Sequence, residues 1–175
     1  MKTLMVGKRS RIIVLTLNKT IMASSHEIDE IIKVGSRAAA GVGVIGAATT
    51  DLPALVAIWG TMIYKIAKEN YVSLDSETGV KIATSVIASG ASWMSGCAVL
   101  TKILTWSGVG LLLGVGINCA VNYFYTWRLG VAFDEIFDDY GTDTAISKLA
   151  WIAVQKLCPV PTLQEFKDFW DYLWD

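Results

Sequence analysis

The feature that most constrains this chain is a pair of long stretches without a charged residue. Twenty residues, 82–101, separate Lys81 from Lys102, and twenty-five more, 103–127, separate Lys102 from Arg128. A helix needs about 20 apolar residues to cross a bilayer. These stretches therefore predict a central, glycine-rich apolar helical hairpin over 82–127, which either crosses a membrane or forms the core of a bundle.

Some features within the hairpin favour a membrane span, and others favour a buried core. Tyr123, Tyr125 and Trp127, near its end, are of the types found at membrane interfaces. Against a span, both stretches are diluted by Gly, Ser, Thr and Asn, and Asn118 and Asn122 need partners on other helices in lipid. Length and apolar character favour membrane insertion or tight membrane association. A soluble bundle with a buried hairpin is the alternative.

Composition supports a large apolar interior or contact with lipid. Of the 175 residues 53% are hydrophobic and 18% charged, whereas an average soluble domain has about 25% charged residues. The net charge of -1 gives no case for nucleic acid. We divide the chain into a basic N-terminal arm (1–23), a helical domain (24–158) and a C-terminal amphipathic aromatic helix (162–175).

The N-terminal arm allows several interpretations. Every charge before His26 is positive, so the arm suits anionic lipid, an acidic partner or plain solvent. Its apolar run "IIVLTL" is six residues long, shorter than the core of a typical signal peptide, although "MASS" resembles a loose cleavage site. Part of the arm could also form a short strand.

Beyond residue 20 the pattern is that of an all-α fold. Apolar and small residues recur at helical spacing from Ile28 onward. Asp75 or Ser76 is the predicted start of the third helix, and Thr162 and Glu165 have the spacing of a capping box that opens the last helix. We therefore predict a helical bundle around the apolar hairpin.

A glycine motif, G-x-G-x-x-G at Gly41, Gly43 and Gly46, raises the question of a dinucleotide site. Such a site needs a strand before the glycines and a helix after them. Here an alanine-rich helical pattern precedes them, and "TTDLP" soon interrupts the helix on their other side. Small residues spaced by four instead predict close helix packing of the glycine-zipper type. The predicted packing residues are Gly35, Ala39, Gly43, Ala88, Ser92, Gly96, Gly110 and Gly114.

Candidate reactive groups are few. Asp134, Glu135, Asp138 and Asp139 share helix faces in pairs and have the ligand type that divalent cations prefer, but a solvated helix end explains them equally well. Asp51 is an acid within an apolar stretch, and helix capping accounts for it. With a single histidine and no catalytic arrangement, we expect neither an enzyme, a cofactor nor a metal site.

The C-terminal helix has an aromatic face and an acidic remainder. Membrane-surface helices usually have a basic polar face, which this one lacks. We therefore expect it to dock onto the bundle itself, with a groove on a protein partner as the alternative. The interface residues are Phe166, Phe169, Trp170 and Trp174.

Two segments resemble the domain of unknown function 697 family. Residues 50–72, "TDLPALVAIWGTMIYKIAKENYV", resemble its opening, and 107–137, "SGVGLLLGVGINCAVNYFYTWRLGVAFDEIF", resemble its glycine-rich later helix. The resemblance implies a helical, often membrane-associated bacterial module that stands beside or is fused to GTPase domains. It implies no catalytic residues, and this chain has no GTPase domain of its own.

These observations predict a non-enzymatic, membrane-associated helical module that recruits, or is regulated by, a protein partner, with a GTPase as one candidate. One alternative is a pore-forming protein that uses 82–127. Another is a soluble bundle that binds an apolar ligand or a partner helix. Expected partners are membrane lipid, a protein and a further copy of the chain. The expected location is the bacterial cytoplasmic membrane, or the cytoplasm if the hairpin is a buried core.

Overall fold

The computed structural model describes residues 26–42, 52–89, 116–140, 144–157, 159 and 161–174. These residues form six α-helices and no strand, so the predicted all-α bundle is confirmed. The helices are α1 (26–42), α2 (Leu52–Glu69), α3 (Ser76–Ala88), α4 (Gly116–Tyr140), α5 (Ile146–Leu157) and α6 (Leu163–Trp174).

Two predicted helix starts have the expected capping contacts. The Asp75 side chain accepts a hydrogen bond of 2.7 Å from the backbone N–H of Thr78, which caps α3. At α6 the backbone N–H of Thr162 donates to Glu165 Oε2 (2.7 Å), and the N–H of Glu165 donates to Thr162 Oγ1 (3.2 Å). This reciprocal pair is the predicted capping box.

The end of α2 is a Schellman turn with an unusual occupant. The N–H of Val72 donates to the carbonyl of Ala67 (2.8 Å) and the N–H of Tyr71 donates to that of Lys68 (3.1 Å). Tyr71 has a φ of 57° at the left-handed position that glycine usually occupies. Its side chain is 84% exposed, whereas Val72 is buried against the core.

The core lies around α4. The buried side chains on the inward face of α4 are Phe124, Tyr125, Leu129, Phe133, Ile136 and Phe137. One buried polar contact joins this helix to α2, where the Trp59 indole N–H donates to Thr126 Oγ1 at 2.8 Å. Because both groups are buried, the bond satisfies them where water cannot.

The described ends of the predicted hairpin belong to this core. Residues 82–88 are part of α3, and 116–127 are part of α4, which continues past Arg128 to Tyr140. Tyr125 and Trp127, which the sequence suggested for a membrane interface, are buried by protein. Among the described residues, no helix combines the length and apolar character needed to cross a membrane. Residues 90–115, the middle of the hairpin, lie outside the described residues.

Arg128, which appeared in sequence as the charge that ends an apolar run, is 7% exposed. Its guanidinium donates to the carbonyls of Leu157 (3.2 Å), Pro159 (3.3 Å) and Lys156 (3.4 Å). It also pairs with Glu165 at 2.9 Å. The last carbonyls of a helix have no partner within the helix, so Arg128 satisfies the end of α5 and fixes the start of α6.

Helix α6 docks onto α4 and α1 through its aromatic face. The Phe166 ring stacks on Phe124 with centroids 4.9 Å apart, and Phe169 meets Trp127 at 5.4 Å. The Tyr172 hydroxyl donates to the carbonyl of Asp29 at 3.0 Å. The predicted docking of this helix onto its own bundle is therefore observed.

Candidate functional site

A groove runs between α1 and α2, which are antiparallel. Gly35 lies against Met62, whereas Glu27, near the start of α1, lies beside Glu69 at the end of α2. Small side chains at the contact leave an apolar trough of about 380 Å³ at the surface. Its apolar lining comprises Ile31, Val34, Gly35, Ala38, Ala57, Ile58 and Met62.

Gly35 explains why the two helices approach so closely. A Cβ added there would lie 2.8 Å from Met62 Sδ, inside normal contact distance. Met62 is thereby held in the core, while Ala38, Ala57 and Thr61 remain exposed along the trough. The result is a surface of small residues that another helix backbone can approach, bordered by Val34, which is 55% exposed.

Two opposite charges stand at one end of the groove. Glu30 on α1 and Lys65 on α2 both line it and both are exposed. The ion pairs of the described residues are Lys81–Glu77, Arg128–Glu165 and Lys156–Glu135, so neither groove charge is paired there. The Thr61 hydroxyl donates to the carbonyl of Ala57 (2.8 Å), as is common for threonine within a helix. The groove therefore offers apolar contact and two charges, which suits binding.

A pair of carboxyl groups lies just beyond that end. The pKa of Glu69 is raised above its ordinary value, first because its protonated carboxyl donates a hydrogen bond to Glu27, then by burial, then by the negative charge of Glu27.

The predicted packing residues divide into three groups. Gly35 contacts α2, and Ala39 is fully buried with its carbonyl accepting a 3.3 Å hydrogen bond from Asn122 of α4. Ala88 is exposed, contrary to the packing prediction, because it lies about 200° around the helix from the buried Val86. Gly43, Ser92, Gly96, Gly110 and Gly114 lie outside the described residues.

Sequence reasoning missed three glycines at close helix contacts within the described residues: Gly60, Gly79 and Gly130. A Cβ on Gly79 of α3 would lie 2.5 Å from the carbonyl oxygen of Gly60 in α2, and one on Gly60 would lie 2.8 Å from Val80 Cα. Gly130 of α4 is similarly close to Ile32 of α1, at 2.6 Å from its Cγ1. Each of these glycines lies where two helices cross. A larger side chain would collide with the facing helix.

The acidic residues that the structure describes do not gather into a metal site. Asp134 Oδ1 accepts a 2.9 Å hydrogen bond from Asn70 at the end of α2, and Glu135 pairs with Lys156 of α5. Asp138 is exposed at the surface of α4. Within the described part of the chain, no group of three or more His, Cys, Asp or Glu residues is arranged to hold a metal ion. Asp51 lies outside it.

The predicted interface residues of α6 differ in their surroundings. Phe166 and Phe169 contact the chain's own α4, whereas Trp170 is 60% exposed. Trp174 ends the helix, and its side chain is outside the described set. A second cavity of about 340 Å³ near the start of α6 includes Arg128, Glu135, Lys156 and Glu165, whose charges already pair with one another.

No protein-family model, curated protein or solved structure matches this chain. The resemblance to the domain of unknown function 697 family therefore stays a prediction.

Proposed function

We propose that this chain is a non-enzymatic helical module that binds a protein helix in the groove between α1 and α2. The observation that carries the proposal is that this groove is exposed and is lined by small apolar residues over a packed core. Helix-in-groove recognition uses an apolar surface of this kind, with charges at its edge that set orientation.

The charge pattern favours a protein helix over a purely apolar ligand. Ala38 and Ala57 lie at one end of the trough, and Glu30 and Lys65 lie at the other. A hydrocarbon ligand would leave both charges without a partner. A helix with an apolar face and one charged end would meet the whole length of the groove.

Membrane association and pore formation stay predictions that depend on 82–127. The described ends of that stretch, which include Ile82, Val86 and Phe124, are buried in the protein core. We therefore base the proposed function on the groove. Extraction of cell membranes with alkaline carbonate tests the membrane prediction directly, because a chain inserted through 90–115 would stay in the pellet until detergent is added.

Photo-cross-linking tests the proposed function. A photoreactive phenylalanine analogue at Val34, beside the groove, is compared with the same analogue at Ile146, an exposed apolar position on α5. In cells that produce the chain, we expect a discrete protein adduct from Val34 and none from Ile146. Equal adducts at both positions, or an adduct only with lipid, would contradict the proposal.

A further inference from the structure

We infer that the protein partner of this groove is a second copy of the chain, whose helices α1 and α2 pack across it, so that the groove is a two-fold dimer interface. The inference rests on the proposed function, because it names the partner of the same groove. It is carried by the match between the two sides of the groove in both charge and shape.

The two sides have complementary residues at equal spacing. Along α1, Glu30 and the exposed Val34 are four residues apart, and along α2, Thr61 and Lys65 are also four residues apart. Four residues are about one helical turn, or about 6 Å. Because α1 and α2 are antiparallel, with Gly35 against Met62 and Glu27 beside Glu69, Glu30 lies within about half a helical turn of the height of Lys65. Val34 likewise lies within about half a turn of the height of Thr61.

A two-fold axis parallel to the helices forms the charged contact and the apolar contact at the same time. It places α1 of one copy opposite α2 of the other. Each residue keeps its height along the axis. Glu30 then meets Lys65 of the partner subunit, and Val34 meets the surface formed by Ala57 and Thr61 of the partner subunit. The symmetry repeats each contact, as in any isologous interface.

The unpaired state of the two charges within one copy agrees with this arrangement. Lys81 and Glu77, also exposed and of opposite charge, form an ion pair of 2.7 Å along α3. Glu30 and Lys65 line one groove, yet they are in none of the ion pairs of the described residues. No ion pair among the described residues of one copy therefore competes with the contacts to a second copy.

Charge reversal tests the inference with the full chain. Sedimentation velocity compares the wild type, Glu30→Lys, Lys65→Glu and an equimolar mixture of the two variants. We expect a wild-type dimer and at least ten-fold weaker association of each variant alone, since both cross-groove contacts become like-charged. In the mixture every such contact again joins opposite charges, so dimers should return. Lys68→Glu, on the same helix but outside the groove, is the control and should associate as the wild type does.

The outcomes separate this inference from the proposed function. A monomeric wild type, or variants that associate as strongly as the wild type, would overturn the dimer. So would a mixture that remains monomeric. If the wild type is monomeric while Val34 cross-links a protein of another mass, the groove binds a different partner and only the dimer is wrong. Absence of any specific Val34 adduct would defeat the proposed function itself.

Discussion

Replacing Gly79 by alanine tests the close contact between α2 and α3. The new Cβ would lie 2.5 Å from the Gly60 carbonyl oxygen and 3.4 Å from Tyr64 Cβ. A carbon and a carbonyl oxygen normally approach to about 3.3 Å. The obstacle is backbone inside α2, which cannot rotate away as a side chain can, so α2 and α3 must separate by about 0.8 Å.

The expected magnitude is the difference between two opposing effects. Overpacking against a rigid neighbour costs about 3 kcal/mol, and alanine gains about 1 kcal/mol over glycine in helix propensity. We therefore expect Gly79→Ala to lower the free energy of unfolding by about 2 kcal/mol. With a urea m-value of about 2 kcal/mol/M, the unfolding midpoint falls by about 1 M.

Three further glycines supply the controls. Gly60→Ala should resemble Gly79→Ala, because its Cβ also meets backbone. Gly35→Ala should cost less, since the nearest atom is the flexible end of Met62. Gly41 has nothing within 4 Å, so its replacement should stabilise α1 by about 0.5 kcal/mol. Urea unfolding followed by far-UV circular dichroism measures all four. Equal midpoint shifts for Gly79→Ala and Gly41→Ala would refute the steric reasoning.

Single contacts elsewhere in the fold support three other predictions. Tyr71→Gly should raise the free energy of unfolding by about 0.5–1 kcal/mol, because it relieves the left-handed backbone; a lower urea midpoint would show that Tyr71 makes a compensating contact. Arg128→Met should lower it by about 2–3 kcal/mol, since Glu165 and the last carbonyls of α5 lose their donor; a loss below about 1 kcal/mol would show that water replaces the arginine. Burial raises the pKa of Tyr172, so above pH about 10 the unfolded chain releases this proton first and stability falls as pH rises. Tyr172→Phe should reduce that alkaline slope in urea titrations, the exposed Tyr71→Phe should not, and equal slopes in both would contradict the assignment.

The sequence predicts the local features of this fold well. Asp75 and the Thr162–Glu165 pair are capping residues because their chemistry acts on backbone within three residues. The helical periodicity likewise predicts which face of α6 is apolar. Gly35 and Ala39 were found because a line of small residues at four-residue spacing is itself a local pattern.

Contacts between distant segments could not be predicted in the same way. Gly60 belongs to no line of small residues, and its importance appears only when Gly79 is placed against it. Arg128 looked like the charged border of an apolar run, because its partners lie about thirty residues away. An apolar stretch also does not reveal whether protein or lipid covers it, and for Phe124 the cover comes from α6.

Filling the groove is the most direct test of its role as a binding surface. Ala57 lines the trough and is exposed, so Ala57→Phe should occupy the trough without disturbing the core. Val34 photo-cross-linking is then repeated in this variant, with unfolding in urea as the check on its fold. We expect the protein adduct to disappear while the unfolding midpoint is unchanged. An adduct that persists at full yield in the folded variant would contradict this expectation.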